Sequence, residues 1–400
     1  MQTEISAKYL ETAQGREADE ILRKCVHCGF CTATCPTYQL LNDELDGPRG
    51  RIYQIKLMLE GQPVSDETLT HLDRCLTCRS CETTCPSGVE YGRLLDYGRY
   101  VVERQISRPL PERLVRFGLE RVLSSAALSR LMFSTARIFR PLLPGRLAGK
   151  IPPRQVPIKV GQGTHTRRML ILDGCVQPTL TPRTNQAAKQ LLQEAGIALV
   201  SAANAGCCGA LSHHLSYHER AEAAVKRNID AWWPEIEAGA EAIVVTASGC
   251  GVMVKDYGHF LRGHADYAEK AERISQLVKD LSEIVSEHVV VKPGTGRGRR
   301  IAFHSPCTYQ HGLRLGGKIE SLLADAGYEL CPVSNPHLCC GSAGSYSLLQ
   351  PDISSRLLTN KVESLEAGKP ELIATANVGC QTHLMSGTRL PVVHWVELLI

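Results

Sequence analysis

The second half of the chain alternates short apolar runs with segments whose apolar residues recur at helical spacing. The runs predict six strands, at residues 169–173, 197–201, 242–247, 300–304, 328–333 and 372–376. Strands that alternate with helices in this way form parallel sheets. The fold class predicted for this half is therefore α/β.

The first hundred residues are predicted to be mainly helical. In the segment RGRIYQIKLMLEG, residues 49–61, Ile52, Ile55 and Leu59 recur at helical spacing. A helical N-terminal part followed by an α/β part makes the whole chain a multidomain α+β and α/β protein.

Composition and charge are those of an ordinary globular protein. The chain has 400 residues, of which 43% are hydrophobic and 22% charged. A formal net charge of +4 with only 5% aromatic residues argues against nucleic-acid binding. The polar, acidic N-terminal stretch does not resemble a secretory signal, and no run of about 18 apolar residues occurs, so we expect a cytoplasmic chain without a membrane span.

Cysteines change this picture, because a cytoplasmic chain with 17 of them uses thiols for metal or redox chemistry and not for disulfides. Eight cysteines form two copies of the pattern C-x2-C-x2-C-x3-C-P, offset by 50 residues (75 − 25). In such patterns three thiolates wrap one face of an iron-sulfur cube, and the fourth points to a second cube. The predicted ligands of the first [4Fe-4S] cluster are Cys25, Cys28, Cys31 and Cys85, and those of the second are Cys75, Cys78, Cys81 and Cys35.

Zinc is the alternative for these thiolates. Zinc ribbons present two separated C-x2-C pairs, whereas here three ligands lie within seven residues and the unit is duplicated. His27, between two ligands, is expected to tune or shield a cluster. Arg49 and Arg51 either raise the cluster potential or form a solvated basic turn, and the solvated turn is favoured.

Eight of the remaining cysteines form a second repeat. Its two copies are Cys175, Cys207, Cys208 and Cys250, then Cys307, Cys339, Cys340 and Cys380, with offsets of 132, 132, 132 and 130 residues. Each group follows predicted strands, whose carboxyl ends share one edge of a parallel sheet, so the thiols of a group are expected to converge there. They are a possible additional metal or redox site; packing as small hydrophobic side chains is the alternative. Cys331 has no counterpart and is expected to be core.

These motifs together resemble the iron-sulfur subunit of bacterial glycolate oxidase, also called glycolate dehydrogenase. The resemblance covers nearly the whole chain and includes GPRGRIYQIK (47–56), CLTCRSCETTCPSGVEYG (75–92), HSPCTYQHGLR (304–314) and HLCCGSAGSYS (337–347). In agreement with the two repeats, the predicted domains are a dicluster 4Fe-4S ferredoxin domain at 1–104, a basic linker at 105–160 and two cysteine-rich modules at 161–290 and 291–400.

The resemblance also implies a role. FAD-containing partner subunits would oxidise glycolate to glyoxylate, and this chain, with two [4Fe-4S] clusters, would carry the electrons to quinone or another membrane acceptor. FAD is expected only in the partners, and no catalytic residue is predicted here, since the first domain has no G-x-G-x-x-G loop after a strand. The equivalent subunit of an anaerobic glycerol-3-phosphate or lactate dehydrogenase is the alternative, and a zinc-stabilised binding protein is an alternative of another class.

The modules are also similar to those of heterodisulfide reductase subunits, which end in C-x2-C. This chain has Met253 and His383 at the final positions, so a five-thiolate noncubane cluster does not carry over. Four thiolates per module remain, and further clusters there stay open. His383 is a possible ligand, although a packing role is favoured.

Residues 108–150, in the linker, form a basic amphipathic segment. They include nine Arg or Lys and two Glu residues, a net charge of +7 (9 − 2), with apolar residues at helical spacing. Such a helix suits an anionic lipid surface, which predicts peripheral contact with the inner face of the cell inner membrane. Packing on the cluster domain or on partner subunits is the alternative.

Overall fold

The computed structural model describes residues 1–142, 151–158, 160–161 and 165–400. The N-terminal part is helical, as predicted. Its helices are α1 (Ala7–Leu10), α2 (Ala13–Lys24), α3 (Pro36–Leu41), α4 (Pro48–Leu59), α5 (Asp66–Asp73), α6 (Ser80–Thr84) and α7 (Tyr91–Gln105), with 3-10 turns at Phe30–Thr34 and Glu44–Asp46. The linker forms α8 (Leu110–Leu123), α9 (Ala126–Ile138) and a 3-10 turn at Arg140–Leu142.

The remainder consists of two α/β modules. The elements of the first are β1 (Arg167–Ile171), α10 (Gln177–Leu180), α11 (Pro182–Glu194), β2 (Ile197–Ser201), α12 (Ala210–His214), α13 (His218–Glu237), β3 (Ile243–Val245), α14 (Ser248–Lys255), α15 (Tyr257–Phe260), α16 (Ala268–Leu277), β4 (Val278–Asp280) and α17 (Leu281–His288). Those of the second are β5 (Arg300–His304), a π-helical turn (Thr308–Gly312), α18 (Lys318–Asp325), β6 (Glu329–Leu330), α19 (Tyr346–Leu349), α20 (Pro351–Glu366), β7 (Leu372–Thr375), α21 (Val378–Met385), β8 (Val392–His394) and a 3-10 turn (Trp395–Leu398).

Each module contains a four-stranded parallel sheet. The strand orders are β2-β1-β3-β4 and β6-β5-β7-β8, so the two topologies are the same. In the register, Met169 pairs with Leu199 in the first sheet and Ala302 pairs with Ile373 in the second. The α/β fold class is confirmed, and all the strands of a sheet end at one edge.

Two strands, β4 and β8, were not predicted from the sequence. Each has only three residues, too few for an apolar run to stand out. Both end in a capping box: Asp280 with Glu283, and His394 with Glu397. β6 is shorter than its predicted run, and Pro332, which has no N–H to donate, follows directly on Cys331.

The two modules share a core. One buried cluster contains Met169 and Val244 of the first sheet together with Phe303 and Leu372 of the second. The modules therefore pack as one body, and the boundaries predicted at 104, 160 and 290 remain predictions. The helical part has its own core around Ile55, Leu72 and Leu94.

Candidate iron-sulfur centres

The two N-terminal cysteine loops have the same backbone geometry. His27 and Gly29 have φ of 54° and 83°, and Thr77 and Arg79, 50 residues later, have φ of 52° and 58°. Left-handed residues between right-handed ones turn successive N–H groups inward and form a concavity for an anion. Three of the four are not glycine, so the loop is held in a costly conformation at the place where a cluster would lie.

The first predicted ligand group comes together in space. One small cavity is lined by Cys25, Cys28, Cys31 and Cys85, although Cys85 comes 54 positions after Cys31 (85 − 31). Burial, together with the neighbouring thiols of Cys25, Cys35 and Cys28, raises the pKa of Cys31 to about 11. Cys28 is exposed, so this centre reaches the protein surface.

The second predicted group is more deeply buried. Cys75, Cys78, Cys81 and Cys35 all lie in the interior. Burial raises the pKa of Cys78 and of Cys81, and the nearby Cys35 adds to both shifts. The backbone N–H of Thr77 and the hydroxyl of Tyr91 donate to Cys75 Sγ at 3.4 and 3.6 Å.

The thiol pKa values indicate what this region can hold. Clustered, buried thiols with raised pKa values stay protonated unless a positive centre compensates the thiolates. Iron supplies that charge, and its binding would release the protons. The fold thus brings each predicted set of four sulfur atoms into one neighbourhood, and each set includes a cysteine from the other loop.

Arg51 is not in a solvated turn, and that prediction was wrong for it. Its side chain is 1% exposed and contacts Asp46 at 3.3 Å and the carbonyl of His71 at 2.7 Å. Asp46 also accepts from Arg74 at 2.8 Å. Arg49, in contrast, forms a half-exposed ion pair with Glu44. The motif GPRGR therefore contributes one surface cation and one buried cation.

The cysteines of the first module converge at the carboxyl edge of its sheet. Cys207 accepts hydrogen bonds from Cys175 and Cys208, which lower its pKa and raise theirs. Cys208 also contacts Cys250. The four thiols predicted to meet thus form a chain of contacts from Cys175 through Cys207 and Cys208 to Cys250 and are not scattered through the core.

The second module repeats this arrangement with a difference. Cys307 Sγ lies 3.8 Å from Cys339 Sγ, and Cys340 contacts Cys339 and Cys380. His304, at the end of β5, has a ring nitrogen within 4.8 Å of the sulfur atoms of Cys340 and Cys380. It is a candidate site residue that was not predicted from the sequence. The repeat offset of 132 residues pairs it with Leu172 of the first module, so the two modules differ at this position. Cys331 is buried and donates to the carbonyl of Gly368, as expected for a core residue.

One cavity joins these groups. Its volume is about 1170 Å³, and its lining includes cysteines from all three parts of the chain: Cys75, Cys78, Cys175, Cys207, Cys208, Cys250, Cys307, Cys339 and Cys380. Cys78 packs in one buried cluster with Cys307 and Cys339. The second N-terminal centre and the second module are therefore neighbours.

Polar contacts hold the helical domain against both modules. Arg79 pairs with Asp256 at 3.1 Å, and Thr83 Oγ1 lies 2.8 Å from His311 Nδ1. The Tyr346 hydroxyl donates to the carbonyl of Arg74 at 2.9 Å. These contacts fix the second cysteine loop over the carboxyl edges of both sheets.

The basic segment differs from the single helix that was predicted. It forms two helices, α8 and α9, and residues 143–150 lie outside the described part of the chain. Arg108 and Arg116 are buried and both pair with Asp73. Their charges are compensated inside the protein, so these two arginines add no positive charge to the exposed surface of the segment.

The outer faces of these helices are apolar. Exposed apolar side chains recur along both, at Leu110, Leu114, Phe117, Leu128, Leu131 and Ile138. Arg113, Arg121 and Arg130 are exposed among them and form no salt bridge with the described residues. We call these nine residues the apolar-basic surface. No helix in the described ranges is both long and apolar enough to cross a bilayer.

Comparison with known proteins identifies both cysteine patterns. A 4Fe-4S dicluster domain model matches residues 21–89, and a cysteine-rich domain model matches residues 169–255 and 301–385. The chain binds iron-sulfur clusters, and the zinc alternative gains no support. The duplication inferred from the cysteine offsets agrees with the two matches.

Among curated proteins, the chain is 52% identical over 400 residues to the glycolate oxidase iron-sulfur subunit of Escherichia coli, covering 100% of this chain and 98% of the relative. A probable glycolate oxidase iron-sulfur subunit of Bacillus subtilis is 28% identical, with coverage of 100% and 98%. Lactate utilization protein A of an Exiguobacterium strain is 26% identical over 56% of this chain and 94% of the relative.

Among solved structures, a hypothetical protein from Helicobacter pylori is similar with a TM-score of 0.57 and 10% identity, over 97% of this chain and 72% of that chain. At that identity the likeness concerns the fold alone. The full-length identity, the paired cluster loops and the duplicated modules agree on one assignment. The chain belongs to the family of glycolate oxidase iron-sulfur subunits.

Proposed function

We propose that this chain is the electron-transfer subunit of a complex that oxidises glycolate to glyoxylate. The observation that carries the proposal is the 52% identity along the whole chain to a glycolate oxidase iron-sulfur subunit. FAD-containing partner subunits perform the substrate chemistry, and this chain contributes no substrate-oxidising residue. Its electrons go to a membrane acceptor, quinone in the simplest case.

The electron balance fits a chain with paired centres. Oxidation of glycolate to glyoxylate releases two electrons and two protons, taken up by the partner's flavin as a hydride and by a base as a proton. When bound, the clusters accept the flavin's two electrons one at a time and pass them on. A quinone that receives both electrons takes two protons from water and becomes a quinol.

The eight cysteines of the N-terminal loops are proposed as the ligands of two cubes, in the two groups given above. Burial of the second group supports this role, because it excludes water from thiolates that hold iron. The N–H and O–H donors to Cys75 stabilise its thiolate and, through it, the reduced centre. The cysteine-rich modules are proposed to hold further metal.

Electrons are proposed to enter at the first group. Cys28 is exposed, and the neighbouring Val26 and Phe30 are exposed apolar side chains that a partner subunit would cover. From there the interlocked loops lead inward to Cys78, which contacts Cys307 and Cys339 of the second module. The route therefore runs from an exposed end to a buried one.

The test of this function is reduction by substrate in the purified complex. The chain is tagged, and its partners are co-purified without oxygen. We expect glycolate to bleach the iron-sulfur absorption rapidly, and lactate or glycerol 3-phosphate to do so much more slowly. Lactate is the relevant competitor because lactate utilization proteins are among the relatives. Rapid bleaching by lactate or glycerol 3-phosphate but not by glycolate would reassign the donor.

We also propose that the apolar-basic surface docks the complex on the inner face of the cell inner membrane. Exposed apolar side chains are interleaved with arginines that form no salt bridge to any described residue, and they match an anionic lipid surface in both polarity and charge. Each arginine near such a surface contributes about 1 kcal/mol to binding. A partner subunit is the competing occupant.

Vesicle flotation tests the docking. Reversal of three charges, Arg113→Glu, Arg121→Glu and Arg130→Glu, is expected to abolish recovery with phosphatidylserine vesicles at low salt, with a loss of at least about 100-fold in affinity. Arg116 is not included, because it is buried and paired with Asp73.

A matched control reverses three exposed arginines of the modules, Arg273, Arg297 and Arg314. This variant has the same net charge and should float as the unmodified complex does. Equal loss of vesicle recovery in both variants would mean that vesicle binding depends on net charge alone and not on the apolar-basic surface. If neither variant loses recovery and the first no longer binds the flavin subunits, the surface is a protein interface.

A further inference from the structure

The two cysteine-rich modules differ at one buried position. By the 132-residue offset of the repeat, His304 corresponds to Leu172 (304 − 132). Leu172 is buried in an apolar cluster that also contains Cys208. A histidine in the equivalent place costs free energy unless its ring nitrogens find partners, because burial removes their hydration.

The His304 ring has a nitrogen without such a partner. The residue is 2% exposed, and within the described ranges no hydrogen-bond partner of its Nε2 is found. His383, the neighbouring buried histidine, differs because its Nε2 lies 3.2 Å from Ser354 Oγ. Buried polar atoms are almost always paired, so an orphaned nitrogen indicates a bound group that completes it.

The sulfur atoms beside it supply the rest of a coordination set. A ring nitrogen of His304 and the Sγ atoms of Cys340 and Cys380 all lie within 4.8 Å of one another. Ligand atoms around one tetrahedral metal, with bonds of about 2.0–2.3 Å, are separated by roughly 3.3–3.8 Å. Small side-chain rotations would therefore bring all three atoms onto one metal ion. Cys339, adjacent in sequence to Cys340, contacts Cys307 at 3.8 Å and extends the set.

We propose that His304 is a nitrogen ligand of a metal centre in the second module, shared with Cys340 and Cys380, and that the two modules hold centres of different composition. The inference rests on the proposed function only in taking iron as the metal. In the first module the equivalent position is Leu172, and the sulfur atoms in contact are those of Cys175, Cys207, Cys208 and Cys250.

This difference has an electrochemical consequence. An imidazole ligand is neutral, so a centre held by His304 and two thiolates carries less negative charge than one held by thiolates alone, and histidine ligation raises the reduction potential of iron-sulfur centres. The second module therefore has the higher potential of the two. It is also the module whose Cys307 and Cys339 pack against Cys78, so electrons that leave the second N-terminal centre are drawn towards it.

Pulsed electron paramagnetic resonance on the full chain tests the ligand directly. The protein is purified without oxygen, labelled with ¹⁴N- or ¹⁵N-histidine, and reduced stepwise with dithionite. We expect a strong nitrogen hyperfine coupling that changes with the isotope, as for a directly bound imidazole. It should vanish in His304→Leu, which installs the residue of the first module, and persist in His383→Leu. Should the further metal be zinc, X-ray absorption would show a nitrogen at about 2.0–2.1 Å, with the same dependence on the variants.

A second variant, His304→Cys, keeps a ligand at this position. It should retain the metal, lose the nitrogen coupling and shift the potential of this centre downward. The inference is overturned by a coupling that survives His304→Leu, by its loss only in His383→Leu, or by an unchanged potential in His304→Cys. A chain with about eight iron atoms and no other metal would also overturn it. That result would leave the electron-transfer function intact, because the N-terminal centres alone can perform it.

Discussion

Replacing Cys78 with serine is expected to stop electron transfer through the complex while glycolate still reduces the partner's flavin. Cys78 is buried at the contact between the second cysteine loop and the second module. Its loss should lower the iron content by about four atoms per chain. The first centre, held by Cys25, Cys28, Cys31 and Cys85, should remain and should still be reduced by glycolate.

The measurement combines iron analysis, the flavin absorption during anaerobic addition of glycolate, and the reduction of a quinone analogue. Because a serine oxygen can replace a thiolate at some iron sites, Cys78→Ala is measured in parallel. Cys331→Ser is the matched control, since this thiol is equally buried but donates only to the carbonyl of Gly368. Acceptor reduction at the normal rate in a Cys78 variant that has lost four irons would exclude the proposed route.

The chemistry of this chain is more predictable from its sequence than its geometry is. Cysteine spacing is a local property, and three thiols within seven residues, repeated 50 residues later, are specific for cluster loops, so the paired loops and the duplicated modules could be found without a structure. The parallel sheets followed from apolar runs between helical segments. The ligand groups themselves stay a prediction, but the structure brings each predicted set of four thiols together.

What the sequence did not predict depends on contacts between distant segments. The motif around Arg51 is basic and rich in glycine, which favours a solvated turn, whereas Asp46 and the carbonyl of His71 enclose the side chain only after the chain folds. The sequence offset pairs His304 with Leu172, but only the fold brings the histidine ring beside the sulfur atoms of Cys340 and Cys380. The basic segment has the periodicity of one surface helix, but Asp73 draws Arg108 and Arg116 inward. The spacing of apolar residues along one segment does not show which distant side chains it will pair with.

Arg51→Met is expected to destabilise the N-terminal domain by about 3–5 kcal/mol, because it leaves a buried carboxylate without one of its cations. Asp46 is fully buried, and Arg51, Arg74 and His71 all contact its carboxylate, at 3.3, 2.8 and 2.9 Å. The variant also removes the donor to the carbonyl of His71. Because the second cysteine loop begins just after His71, release of its cluster should accompany the unfolding.

Titration with guanidinium chloride without oxygen measures the loss of stability. The visible iron-sulfur absorption is recorded at each concentration after a fixed exposure time. Arg49→Met is the matched control from the same motif. Its ion pair with Glu44 is partly exposed, with 36% and 42% of the two side chains accessible, so its loss should cost no more than about 1 kcal/mol. Equal midpoints for the two variants would mean that Asp46 is adequately compensated by Arg74 and His71 alone. A lower midpoint for Arg51→Met only would show that the buried cation of the GPRGR motif holds the second cluster loop in place.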